Sequence, residues 1–81
     1  MSAEIESLAL RMVAELARMT DSRPGQGRML TALALDTDVD WESALAAVQL
    51  SEERGWLELH VKYSVSLTEA GLQIAAYLNR P

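Results

Sequence analysis

The stretch WLELHVKYSVSL, residues 56–67, constrains the fold of this chain more than any other. Leu57, Leu59 and Val61 share one side of a period-two pattern, and Tyr63, Val65 and Leu67 share one side of a second. So few residues separate the two runs that the strands must pair as a hairpin. Helix signals close on it from both ends. Gly55 stops a helix that starts at Trp41 and runs to about Arg54. Thr68 caps another that runs through Leu78 and carries Leu72, Ile74, Ala75, Tyr77 and Leu78.

Upstream, Ile5, Leu8, Met12, Leu16 and Met19 recur at three- and four-residue steps and define one face of a first helix. Glu4, Ser7, Arg11, Glu15 and Arg18 form its polar stripe, with Arg11 and Glu15 spaced as an i, i+4 pair. A second apolar row, Leu10, Val13 and Ala17, lies on the flank. One face satisfies a monomer's core, so the second row asks for another partner. That partner is either the remaining helices of the same domain or a second copy, since small cores favour association.

TDSRPGQGR, residues 20–28, reads as a loop broken by Pro24, Gly25 and Gly27. Its GQGR phrase lacks the lysine and the spacing of a phosphate-binding loop. Residues 28–35 read as a short second helix. Residues 36–40 read as a turn that ends in the N-cap Asp40, with Glu42 in the first helical turn that follows. Residues 1–81 are expected to form one domain, mainly α with a small β-hairpin, in the order helix, helix, helix, strand, strand, helix.

That order, together with EERGWLEL followed by VSLTEAG, resembles the winged helix-turn-helix fold, and most of all the MarR-type transcription regulators. In that family the recognition helix ends in a Leu-Glu-x-x-Gly phrase and the second wing strand runs into Leu-Thr-x-x-Gly. The matching residues are Glu52, Arg54, Gly55, Leu57, Leu67, Thr68, Glu69 and Gly71, and the resemblance covers about residues 28–78. It implies a transcription-regulator scaffold whose recognition helix is residues 41–54. Two positions depart from the pattern: Ser51 stands where the family usually has an apolar residue, and Leu50 where it usually has a polar one. The wing is short and lacks the Asp-Arg tip of the relatives.

Charge argues in another direction. Between residues 36 and 58 there are seven acids (Asp36, Asp38, Asp40, Glu42, Glu52, Glu53, Glu58) and one base, Arg54, within a chain of net charge −5. A surface for nucleic acid is expected to be positive. At 100° per residue, Trp41, Ala44, Leu45 and Val48 cluster on the inward face of the third helix. Glu42, Ala46, Gln49 and Glu53 occupy the opposite arc, with Leu50 at its edge. Of these only Gln49 could make a bidentate contact to a base, adenine. The DNA-contact candidates are Gln49 and Ser43 on the helix, Arg23 and Arg28 in the loop, and His60 and Lys62 at the wing. Candidates for a dimer or partner interface are Leu10, Val13, Ala17, Leu50, Ile74, Tyr77 and Leu78. Trp41 and Trp56 are expected in the core or at an interface, because stacking platforms need a positive groove beside them.

Catalytic and metal chemistry finds little footing. There is no cysteine, and His60 is the only imidazole, which removes the ligands zinc prefers. DTDVD imitates the start of a calcium loop, but the positions that need glycine and glutamate hold Trp41 and Ala47. A Ser-His-Asp set is formally available through His60, without a nucleophile elbow around any serine. MSAEIES has no signal-peptide pattern, and no apolar run approaches the ~20 residues of a membrane helix. The expectation is a cytoplasmic protein with no enzymatic activity, cofactor or metal. It is expected to act through protein–protein interaction and homodimerisation. The alternative is a DNA-binding regulator that uses helix 41–54, loop 23–28 and wing 60–62. A ligand-sensing repressor would need a pocket at a dimer seam.

Overall fold

The computed structural model describes residues 2–79, with side chains from residue 4 onward. Its elements are helices α1 (Ser2–Met19), α2 (Leu30–Thr37), α3 (Trp41–Glu53) and α4 (Glu69–Leu78), and strands β1 (Arg28–Met29), β2 (Leu57–His60) and β3 (Ser64–Leu67). The strands form one antiparallel sheet in the order β1-β3-β2. The hairpin register pairs Leu57 with Leu67 and His60 with Ser64. The molecule is therefore mainly helical with a small sheet, and no helix among the described residues is long and apolar enough to cross a membrane.

The first strand replaces the start of the expected second helix. Arg28 pairs with Val65 and Met29 with Ser64, so α2 begins only at Leu30 and extends to Thr37. Gly27 eases that approach, since a Cβ there would lie 2.6 Å from Ser64 Oγ and the hydroxyl would have to turn away. Asp38 then ends α2 in the left-handed region (φ 58°) and donates its N–H to the carbonyls of Ala34 and Leu35.

The core is built around α1, which packs against α2, α3 and α4. Ala9, Met12, Val13 and Leu16 are fully buried, and Ala17 nearly so. The second apolar row is thus absorbed within the chain: Val13 and Ala17 are core residues and offer no surface to another copy. On α3 the buried stripe is Ala44, Ala47, Val48 and Ser51, with Leu45 only half-buried. Small side chains at 44, 47 and 51 let α3 lie close on α1, and bulky Trp41 is left partly outside.

Ser51 fills its position by turning inward on itself, its hydroxyl donating to the Ala47 carbonyl at 2.8 Å. Thr20 and Thr37 do the same to Leu16 and Leu33. Among the described residues, every buried polar side-chain atom has a hydrogen-bond partner.

The two phrases EERGW and LTEAG meet in one joint. Trp56 N–H donates to Ser51 O at 2.9 Å, and Thr68 N–H donates to Trp56 O at 3.1 Å. The Thr68 hydroxyl donates to Gly55 O and accepts from Gly71 N–H. Gly55 itself sits at φ +78°, and Gly71 lies against the Trp56 carbonyl. This joint holds the end of α3, the start of β2 and the start of α4 together.

Candidate functional site

The exposed side of α3 is acidic along its length. Glu42, Gln49 and Glu53 are exposed, and Ala46 between them is half-buried. At its N-terminus Asp40 accepts from Ser43 N–H at 3.3 Å. Hydrogen bonds from Ser43, the side chain first and the backbone second, hold the Asp40 carboxyl below the ordinary carboxylate range. Ser43 is therefore engaged in the cap.

A lowered pKa in the folded state means that the cap's contribution is complete above the ordinary Asp range and is lost as pH falls through the lowered value. Asp40→Ala should reduce the melting temperature at neutral pH. The gap to the unmodified protein should close on acidification below about pH 4. A gap independent of pH in parallel thermal melts would refute this role.

Trp41, expected inward, is 40% exposed and meets Tyr63 edge-on, with ring centroids 5.3 Å apart and planes at 78°. Tyr63 and Val61, read as sharing a side with Val65 and Leu67 and with Leu57 and Leu59, both lie in the turn that joins β2 to β3 and are exposed. Ser64 N–H donates to Val61 O across this turn. Lys62 (φ 61°) and Tyr63 (φ 57°) are both left-handed, the geometry of a type I′ turn that ordinarily takes Asn-Gly. A non-glycine residue there costs about 1–2 kcal/mol. Period-two reading misses this, because it extends both strands into the turn. Lys62 and Tyr63 carry no sequence signal for such a turn, since neither is glycine, asparagine or aspartate.

Several arginines are engaged in the fold, and of these only Arg28 is a DNA-contact candidate. Arg28 donates to Met19 O at 3.2 Å and Gly27 O at 3.0 Å, tying the loop to the end of α1. Arg54, the lone base of the acidic segment, pairs with Glu6 at 2.8 Å and lies over the Trp56 ring, 5.5 Å from its centroid. Arg11 donates to Thr37 O at 3.0 Å, so Glu15 pairs with Arg18 and not with Arg11. Arg23 and Lys62 remain exposed.

His60 Nε2 and Ser66 Oγ share a 2.8 Å hydrogen bond, and Glu58 Oε1 lies 4.0 Å from the same nitrogen. A nucleophile relay needs serine and carboxylate on opposite ring nitrogens, and it needs an accessible serine. Here both approach Nε2 and Ser66 is buried, so the trio braces the hairpin.

Asp38 and Asp40, which resembled calcium ligands, serve as the caps that end α2 and begin α3. A depression of about 500 Å³ lined by Glu4, Ser7, Leu8, Arg11, Val39 and Ser43 lies beside the α2–α3 turn.

The interface candidates divide. Val13 and Ala17 are core. Leu50 is half-buried and packs on the core, as does Ile74. Tyr77 and Leu78 are exposed, and Leu10 is half-buried. Asn79 Nδ2 lies 3.5 Å from Ala14 O, which places the end of α4 one helical turn from Leu10. Comparison of the chain with protein-family models, with curated proteins and with solved structures finds no match.

Proposed function

We propose that this chain is a non-enzymatic winged-helix module of the transcription-regulator type that works through protein contact and self-association. The order of helices around the hairpin supports the scaffold. The observation that carries the functional reading is the outer side of α3, where Glu42 and Glu53 flank Gln49 and the segment's only base is paired with Glu6. Affinity for duplex DNA comes largely from cations that neutralise phosphates and release counterions. Such a face repels phosphate.

Titration of a mixed-sequence duplex at physiological salt tests this reading. Binding should be no tighter than ~10⁻⁴ to 10⁻⁶ M, with a shallow dependence of log affinity on log salt. Nanomolar, sequence-specific binding would favour instead a DNA regulator that reads through Gln49 with help from Arg23 and Lys62.

Self-association is assigned to Leu10, Ile74, Tyr77 and Leu78. The last three share one face of α4, and fully burying such side chains is worth ~1.5–3 kcal/mol each. Sedimentation equilibrium should give a dimer. The pair Tyr77→Glu and Leu78→Glu should give a monomer that still melts cooperatively. An unchanged mass would move the seam elsewhere.

A further inference from the structure

We infer that Trp41, Val61 and Tyr63 form a docking site for a basic segment of a partner protein. The segment places an aliphatic or aromatic side chain on the Trp41–Tyr63 edge and sets Arg or Lys among Asp38, Asp40 and Glu42. This deepens the protein-contact reading above and rests on it.

Three observations converge on this end of the molecule. The first is exposure: Val61 is 85% exposed, Tyr63 50% and Trp41 40%, and the two rings are already in contact. Aromatic side chains of limited rotamer freedom are the usual anchors of protein interfaces.

The second is the turn. Two consecutive non-glycine residues, Lys62 and Tyr63, take left-handed backbone where glycine or asparagine would be easier. The turn thereby sets Tyr63 against Trp41, a placement that fold stability alone does not demand, since Tyr63 stays half exposed. Strain of this kind gathers at binding sites.

The third is charge. Asp38, Asp40 and Glu42 are all exposed and lie within three residues of Trp41, with Lys62 as the cation of the turn, whereas Asp36 shares a depression with Arg11 and Arg18. An apolar edge whose Trp41 is flanked along the chain by carboxylates complements a segment that alternates arginine with leucine-like residues. A guanidinium can also lie on the Trp41 face. The same carboxylates repel nucleic acid and acidic peptides.

The test uses the unmodified protein and a short synthetic peptide alternating arginine and leucine. Controls are the same peptide with glutamate for arginine, and duplex DNA. Amide and indole shifts should saturate and centre on Trp41, Val61 and Tyr63, and the glutamate peptide should leave them unmoved. Tyr63→Ser, and separately Asp38→Asn with Glu42→Gln, should weaken the arginine peptide at least about tenfold. If Tyr63→Ser disturbs the hairpin spectrum, Val61→Ser carries the same test.

Absence of peptide binding overturns the inference, as does equal binding of the glutamate peptide. Shifts centred on Glu52 and Glu53, insensitive to Tyr63→Ser, overturn this site while the protein-contact reading stands. Tight duplex binding without peptide binding overturns both.

Discussion

Gly71→Ala should cost this protein about 3 kcal/mol or more, a large share of the stability a domain of this size has. Helix propensity alone predicts the opposite sign, because alanine is better than glycine in a helix by ~1 kcal/mol. The geometry decides. A Cβ on Gly71 would lie 1.9 Å from the Trp56 carbonyl oxygen and 2.8 Å from its carbon. Backbone cannot swing aside as a flexible side chain can. That same carbonyl accepts from Thr68 N–H, so moving it also strains the joint that closes α3 onto α4. A chain of 81 residues has a total stability of roughly 4–12 kcal/mol at ~0.05–0.15 kcal/mol per residue. The loss is therefore a large fraction of what holds it folded. Gly25→Ala is the control: it takes φ +80° with nothing within 4 Å, and should cost only about 1–2 kcal/mol. Urea melts of the two variants give the comparison. A Gly71→Ala protein as stable as the unmodified one would mean that the joint is looser than described.

The joint was legible because its parts are local signals. Glycine after a helix, threonine before one and alternation between them each carry their own physics, and their short spacing left only one way to connect them. Asp40 was legible for the same reason. Arg28 and Met29 were not. A strand of two residues has no periodicity, and its pairing with Val65 and Ser64 depends on segments more than thirty positions away.

On α3 the wheel reading placed Trp41 inward on hydrophobicity, whereas the close approach to α1 selected the smaller residues at 44, 47 and 51. Val13 and Ala17 posed a related problem. A second apolar row fits a helix with a partner copy, and equally one wrapped by its own chain, and only the positions of α2, α3 and α4 decide between them.

The acidic stripe was visible as composition. That Arg54 and Arg28 are engaged within the fold was not, since Glu6 and Met19 are distant or unremarkable in sequence.

Reversing charge on α3 should turn the scaffold toward DNA. Glu42 and Glu53 are both exposed, and they flank Gln49 along one stripe of the helix. With Glu42→Lys and Glu53→Lys, two repulsive groups become two cations on the face that the winged-helix reading directs at the major groove. Each new phosphate contact should steepen the slope of log affinity against log salt by ~0.9, or about 1.8 per chain, and a dimer doubles this. At low salt the duplex affinity should rise by about tenfold or more. Net charge alone could raise non-specific binding, so the matched control matters. Glu15→Lys with Glu69→Lys makes the same change in total charge on α1 and α4, away from that stripe. The α3 variant should exceed this control in both affinity and salt slope. If the two bind alike, the gain is a property of net charge. The outer face of α3 then has no docking geometry for a duplex, and the reader-like scaffold assigned to this chain fails with it.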